Sequence, residues 1–498
     1  MGDAPAGGRA DWLAWRLRQA ISDGRLPVGS RLPASRVLAA ELQVSRGMVT
    51  EAYRRLTEDG HVAGRGRKGT IVVAAPVPVV AAPAPGRAAA GPDAPAAEPA
   101  PASAPAAGLF AAPPGADAFD SLRAAPARID LTPGLPDLAA FPRAAWLRAE
   151  RSILSGLSPT AFGYSDPRGT PALRQAVARW LGRTRGIRVA PDEVIIVNGV
   201  AQALGLLAQV LRADGIGAAA VEDPGSLGTR QHLQNWGLAT PPVTVDAGGV
   251  CVRELAASGV NAVLLTPAHQ FPTGVVLDGE RRRELFGWAE RGGLIIEDDY
   301  DAEHRYDRPP VPALRAMLGD RVCYTGSVSK LLAPALRVGW LLPPPRYLAA
   351  LIAAKRNADL GSAVLPQLVL ARLMESGELE RQLRFVRKRH RRRRDAMTGA
   401  IAAQLPQATV HGAAAGLHLM VTFADGFADA GLAAATLSRG VKVQPLSWHT
   451  QRPHRPGLVL GYAATPATTI AAGIAVLGKI AGEMVEDSGR PSDRNPPP

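Results

Sequence analysis

Gly293-Leu-Ile-Ile-Glu-Asp-Asp-Tyr-Asp301 is an apolar run that ends abruptly in acids. Such a run reads as a central parallel strand, buried on both faces, whose C-terminal end opens onto a site. Val322-Cys-Tyr-Thr-Gly-Ser-Val-Ser-Lys-Leu-Leu-Ala-Pro-Ala-Leu-Arg337 follows. It starts as a second buried strand, turns through Gly326 and small hydroxyl residues, and presents Lys330 in an apolar setting. Burial lowers a lysine pKa, and the free amine can then form a Schiff base with an aldehyde. Ser327 and Arg337 flank Lys330 with a hydroxyl and a planar fork suited to a phosphate. Pyridoxal phosphate also needs a carboxylate beside its ring nitrogen, which makes the ring an electron sink. Asp298 fits that role, and Tyr300 is placed to donate to the ring's phenolic oxygen.

Outward from these stretches, strands are expected over 194–197, 218–221, 262–265, 294–296 and 322–324, with helices over 227–236 and 281–291 between them. This alternation predicts an α/β, doubly wound, mostly parallel sheet with helices on both faces. Gly199, Val200 and Ala201 open a helix directly after a strand, where free amides suit a phosphate. A long helix over 379–399 carries eight consecutive basic residues, 387–394, which read as a solvated face or a surface that tracks DNA backbone. Short strands and helices over 411–480 predict a smaller C-terminal α/β lobe.

The first 75 residues have a different character. Leu13, Leu17, Ala20 and Ile21 share one helical face. Ser35 is expected to cap a second helix over 36–42, and Ser45 a third. In the third helix Val49, Ala52, Tyr53 and Leu56 form a core stripe, so Arg46, Gly47, Thr50 and Arg54 face the other way. This is a helix-turn-helix pattern, and the following hairpin, 61–73, carries Arg65, Arg67 and Lys68 at its tip as a wing. From 76 to 126 Ala, Pro and Gly dominate, which predicts a semi-stiff, disordered linker. Residues 486–498 read as a disordered tail.

The chain has 57 Lys and Arg against 44 Asp and Glu, a net charge of +13, which suits nucleic acid without requiring it. Two cysteines cannot build a disulfide framework, which predicts a reducing cytosol. No signal-peptide pattern and no apolar run of bilayer length are apparent, and no metal site is expected.

Ser30-Arg-Leu-Pro-Ala-Ser-Arg36, Leu38-Ala-Ala-Glu-Leu-Gln-Val-Ser-Arg46 and Ala52-Tyr-Arg-Arg-Leu-Thr-Glu-Asp-Gly60 resemble the winged helix-turn-helix of the GntR family. By that resemblance Arg36, Arg46 and the wing around Lys68 and Gly69 contact DNA, while Gly47-Met48 replaces the family's usual polar pair. Thr266-Pro-Ala-His-Gln-Phe-Pro-Thr-Gly274, Glu297-Asp-Asp-Tyr-Asp-Ala-Glu-His-Arg-Tyr306 and Ser327-Val-Ser-Lys330 with Arg337 resemble a fold-type I aminotransferase. Together the two halves resemble the MocR subfamily of transcription regulators.

That resemblance implies a reader at 1–75 and a pyridoxal 5'-phosphate-binding domain at 127–485, with its large lobe about 160–360 and small lobe about 361–485. It implies a homodimer on double-stranded DNA with paired half-sites in a bacterial cytosol, and an effector that is the cofactor itself, an amine or an amino acid. Lys330 is the Schiff-base residue, Asp298 pairs with the ring nitrogen, and Tyr300 and Gln270 contact the ring. Ser327, Arg337 and the amides of Gly199, Val200 and Ala201 hold the phosphate, and Tyr164 reaches it from the neighbouring subunit. Two departures weigh against turnover. Gly457-Leu-Val-Leu-Gly-Tyr462 lacks the arginine that anchors substrate carboxylates, and Ser226 stands where an aromatic residue often stacks on the ring. A regulator is therefore expected, with an active aminotransferase as the alternative.

Overall fold

The computed structural model describes residues 9–23, 25–58, 61–64, 66, 69–73, 108–306, 311–424 and 428–488. The chain divides into two compact units, Met1–Ala102 and Ser103–Pro498.

In the first unit, helices Arg9–Ser22, Ser35–Glu41 and Arg46–Glu58 precede an antiparallel pair, β1 (Val62–Gly64) and β2 (Thr70–Val72). Leu13, Ile21, Leu38, Val49, Ala52, Leu56, Val62 and Val72 close one core, so the predicted stripe faces inward. Ser35 lies inside its helix and Ala34 holds the cap position, one residue earlier than expected. Ser45 does cap: its Oγ accepts from the Met48 amide at 3.3 Å.

The second unit is built on an eight-stranded sheet of β4 (Ile195–Val197), β5 (Ala220–Asp223), β6 (Pro242–Asp246), β7 (Gly249–Val250), β8 (Ala262–Leu265), β9 (Leu294–Asp299), β10 (Val322–Ser327) and β11 (Gly339–Leu342). Its order is β4-β11-β10-β9-β8-β5-β6-β7. β10, β9, β8, β5 and β6 run parallel, whereas β11 is antiparallel to both its neighbours. Alternate residues serve opposite faces: Ile195, Val197, Cys323 and Leu341 enter one apolar cluster, and Ile196, Tyr324, Trp340 and Leu342 another. This two-sided burial explains the unbroken apolar runs.

The smaller lobe combines β12 (Thr409–His411), β13 (His418–Thr422), β15 (Gln444–Pro445) and β16 (Gly457–Gly461) in one sheet, with β3 (Ile129–Asp130) paired to β14 (Val441–Lys442). Its boundary differs from the expected position near 361. The helix Val364–Glu375 and the first turns of Glu378–Gln404 pack on the large-lobe cluster through Leu370, Met374, Leu379 and Val386. Met397 and Ile401 of the same long helix belong to the small-lobe core, so that helix spans both.

The linker also ends earlier than expected. Residues 108–126 are packed, with Phe110, Ala118 and Leu122 buried in the small-lobe core and a helix at Ala118–Ala124. Aromatic side chains explain this: Phe110 stacks on Trp448 at 5.3 Å, a contact the Ala- and Pro-rich composition hides. At the other end, the last helix runs from Ala467 to Ser488, past the expected boundary at 485, and 489–498 lie outside the described residues. Its Ala467–Met484 portion is long and apolar enough to cross a membrane, contrary to expectation. Ile470, Ile474, Leu477 and Ile480 are buried in the small-lobe core.

Candidate functional site

β4, β5, β8, β9 and β10 all end at one edge of the sheet, and the polar residues gather there. Side chains alternate along β9. Glu297 and Asp299 share one face, where Glu297 accepts from the amides of Leu314 and Arg315 and Asp299 binds Arg185 at 2.5 Å and Tyr324 at 2.6 Å. Asp298 takes the other face with Lys330. Its neighbour Thr325 reaches it only at 3.4 Å, so a buried carboxyl is left without a strong partner. Burial first, then the charge of Asp299, push its pKa up to about 7, while Lys330 opposes the rise. A pyridinium N–H is the kind of group that would satisfy it.

Lys330 follows β10 in a loop, and its Nζ donates to the Gly134 carbonyl at 2.5 Å. Burial lowers its pKa against the pull of Asp298 and Asp301, as a Schiff-base lysine requires. Its own carbonyl accepts from His304 Nε2 at 3.0 Å. His304 packs on His390 at 5.0 Å, and burial lowers the pKa of both, His304 to about 4.

The helix-start end of the crevice is equally built. The helix Val200–Ala213 starts at Gly199, whose φ of +79° is left-handed. A Cβ there would lie 2.9 Å from the Arg337 guanidinium, so glycine lets the fork close over the helix start. Arg337 itself donates to the Asn198 carbonyl. Ser327 is buried at the end of β10, and the first-turn amides of Val200 and Ala201 have no intrahelical acceptor. Ser226 caps the helix Leu227–Asn235, its Oγ accepting from Thr229 at 3.3 Å.

One expected contact is placed differently. Gln270 is buried, but its amide donates to the carbonyls of Pro224 at 2.8 Å and Phe271 at 2.6 Å, and its oxygen accepts from Thr273. It ties the loop and has no group left for a ring. Tyr164, expected to serve the neighbouring subunit's site, is 94% exposed.

Several residues beside the crevice escaped the sequence reading. Glu222, at the end of β5, accepts from Thr266, and burial pushes its pKa up to about 7. His269 Nδ1 lies 2.9 Å from Asp301 and 3.1 Å from the Tyr300 hydroxyl. With His418 these two residues bring metal-ligand atoms within 4.8 Å of one another. Both residues sat in quoted stretches; their only signal was a position at a strand end.

The basic run is not a uniformly solvated face. Arg389 and Arg393 bind the buried carboxylate of Asp137 at 2.5 and 3.1 Å. Arg387 donates to the Glu303 carbonyl, and Arg394 lies over the Tyr306 ring at 5.0 Å. Lys388, Arg391 and Arg392 are exposed.

In the first unit Arg36, Ser45, Arg46, Gly47 and Thr50 are exposed. Arg54 is partly buried and held by Glu51 at 2.7 Å. Gly69, with φ +78°, lies beside the Arg31 guanidinium. Arg65, Arg67 and Lys68 lie outside the described residues.

Similarity to known proteins follows these two sets of residues. Residues 10–72 match the bacterial regulatory proteins of the gntR family, and residues 128–455 match aminotransferase class I and II. The chain is 31% identical over 486 residues to the probable rhizopine catabolism regulatory protein MocR of Rhizobium meliloti, covering 96% of this chain and 95% of that protein. It is 31% identical over 444 residues to the pyridoxine biosynthesis transcriptional regulator PdxR of Corynebacterium glutamicum, covering 87% of each. Among solved structures, the α-aminoadipate aminotransferase LysN of Thermus thermophilus superposes with a TM-score of 0.68 at 26% identity, over 76% of this chain and 97% of that one. The chain belongs to the MocR-type regulators of the GntR family, in which a winged helix-turn-helix is fused to an aminotransferase-like domain of fold type I.

Proposed function

We propose that the chain is a DNA-binding transcription regulator whose aminotransferase-like domain holds pyridoxal 5'-phosphate on Lys330 and adjusts DNA binding to its occupancy. The reading is carried by one observation: a gntR-type reader and a complete lysine–acid–phosphate crevice occur in the same chain. Every polar group of the vitamer has a counterpart. Asp298 would pair with the ring nitrogen, Tyr300 with the phenolic oxygen, and Ser327, Arg337 and the amides of Val200 and Ala201 with the phosphate. When bound, the cofactor supplies an aldehyde for Lys330 and an electron-withdrawing ring. The protein's part is to keep the Lys330 amine desolvated, with its pKa lowered by burial, and to hold it against Gly134 until it is used.

A path toward the linker supports the coupling. Phe119, on the helix Ala118–Ala124, stacks on His449 at 6.4 Å and lies 3.3 Å from where a Cβ on Gly228 would sit. His449 Nδ1 accepts from the Leu227 amide at 3.3 Å, beside the β5-end loop of the crevice. A homodimer suits the exposed Tyr164, Phe162 and Leu360; Gly361 brings the last near Ser165 and Pro167. In that dimer Tyr164 would serve the partner's phosphate site. Double-stranded DNA with paired half-sites is the natural partner of two such readers, and Arg36, Arg46 and Thr50 are its exposed contacts.

The alternative is a working aminotransferase. β16 opposes it, because it carries no arginine for a substrate carboxylate and its Val459 packs with Met420, Leu446 and Phe271. Footprinting on the neighbouring intergenic DNA, with and without pyridoxal phosphate, tests the reading. Wild type should protect a paired site and respond to the vitamer, and Lys330→Ala should protect it without responding. Absence of protection at moderate salt would refute the regulator. Conversion of bound cofactor to its amine form by an amino acid would favour the enzyme.

A further inference from the structure

We propose that His269, backed by Asp301, is a positioning residue that fixes the Tyr300 hydroxyl as a hydrogen-bond donor directed into the crevice, toward the ring oxygen of a bound pyridoxal. The inference rests on the cofactor reading above and adds two residues to it. The geometry assigns the protons. His269 and Asp301 are both 2% exposed, and Nδ1 lies 2.9 Å from Asp301 Oδ2. A carboxylate only accepts, so Nδ1 carries the proton. The same N–H faces the Tyr300 oxygen at 3.1 Å. With a hydrogen bond received from behind, the phenol oxygen can turn its own proton from Asp301 toward a ring oxygen in the crevice.

The surroundings keep this arrangement in place. His269 Nε2 is buried without a partner among the described residues, and in this tautomer it is a bare lone pair rather than an unpaired N–H. The ring cannot swing: a Cβ on Gly416, which has φ +83°, would fall 2.1 Å from His269 Cε1, so backbone lies flat against the imidazole. From β13, His418 packs on the other side at 5.3 Å and is held neutral, its pKa lowered to about 3 by burial first. Burial first, then the charges of Asp301, Asp298 and Glu222 and a hydrogen-bonding interaction with Asp301, raise the Tyr300 pKa well above the ordinary value, so it keeps its proton. Lys330 is the basic group on this side, its pKa lowered by burial against the pull of Asp298 and Asp301.

A donor on the ring oxygen withdraws negative charge from it, which loosens the proton on the neighbouring Lys330 nitrogen. The test is therefore the pH midpoint of the visible absorbance of the full chain loaded with pyridoxal phosphate. Tyr300→Phe should raise the midpoint by about one pH unit, and His269→Ala should raise it by part of that. In the Tyr300→Phe background, His269→Ala should add nothing. His269→Asn, which can return an N–H near the Nδ1 position, should restore much of the wild-type value. Asp301→Asn offers a donor to Nδ1, turns Tyr300 back toward His269, and should behave like Tyr300→Phe. That variant and His269→Asn also answer the question should His269→Ala not fold. A shift in Tyr300→Phe with wild-type midpoints in His269→Ala and Asp301→Asn would overturn the proposal alone, as would a His269→Ala shift that persists in full without the Tyr300 hydroxyl. A wild-type chain with no visible absorbance would overturn the cofactor reading, and this inference with it.

Discussion

Asp298→Asn in the cofactor-free chain should stabilise the second unit at alkaline pH and scarcely at acid pH. The Asp298 pKa is raised from the ordinary 3.8 to about 7, by burial first and Asp299 next. Below 3.8 the carboxyl is protonated whether the chain is folded or not, and it has no effect on stability. Between 3.8 and 7 the unfolded chain ionises and the folded chain resists, so stability falls as pH rises; above 7 the loss is complete. A displacement of about three units corresponds to about 4 kcal/mol. The amide keeps the shape and the weak contact with Thr325 but never ionises. The gap between variant and wild type should therefore be about 1.5 kcal/mol at pH 5 and about 4 kcal/mol at pH 8. Denaturant unfolding of thoroughly dialysed protein at the two pH values measures both. Saturating pyridoxal phosphate should narrow the gap at pH 8, because the ring N–H gives the wild-type carboxylate its missing partner. A gap of equal size at pH 5 and pH 8 would refute the reasoning, since it would mean that Asp298 is not the group that resists ionisation.

Gly199→Ala must place a methyl 2.9 Å from the Arg337 guanidinium at a left-handed φ, so affinity for pyridoxal phosphate should fall at least about tenfold, about 1.4 kcal/mol. An absorbance titration with pyridoxal, which lacks the phosphate, should show little of that loss. Arg46→Ala should weaken operator binding across sequences and reduce the salt slope by about one, as read by titrations at several salt concentrations. Asp137→Ala leaves Arg389 and Arg393 facing each other without their shared carboxylate, and should destabilise the second unit by about 3 kcal/mol in thermal or denaturant unfolding.

The strands and the crevice were legible because their signals are local. Runs such as 294–299 are apolar and end in acids because both faces of the sheet are covered, and Lys330 stands out against small neighbours. The helix-turn-helix was legible for a similar reason, since Val49, Ala52 and Leu56 keep helical spacing. What stayed hidden depends on partners distant in sequence. Asp137 meets Arg389 across 252 residues, and nothing in the basic run distinguishes those arginines from exposed Arg391 and Arg392. Phe110 and Phe119 are two aromatics at the end of a poor-looking linker, and only Trp448 and His449 explain why the chain packs there. Gln270 misled because its stretch resembles a cofactor loop, whereas its amide is spent on Pro224 and Phe271.

The shape of the crevice also bears on which effector it suits. An amino acid needs a cation for its carboxylate, and β16 carries none; its Val459 packs with Met420, Leu446 and Phe271 instead. Burying a carboxylate there without a partner would cost several kcal/mol, more than a modest regulator's ligand can spare. In the proposed pose pyridoxal phosphate would carry its charge at the other end, where Arg337, Ser327 and the helix start at Gly199 converge, and its aldehyde would meet a lysine already desolvated. Capture of that aldehyde has to draw Nζ away from the Gly134 carbonyl, and Gly134 lies three residues from Asp137, which Arg389 and Arg393 hold to the helix spanning both lobes. The first consequence of occupancy should thus be felt by the segment 133–137 and that helix, so the vitamer can act as a signal without any amino acid being turned over.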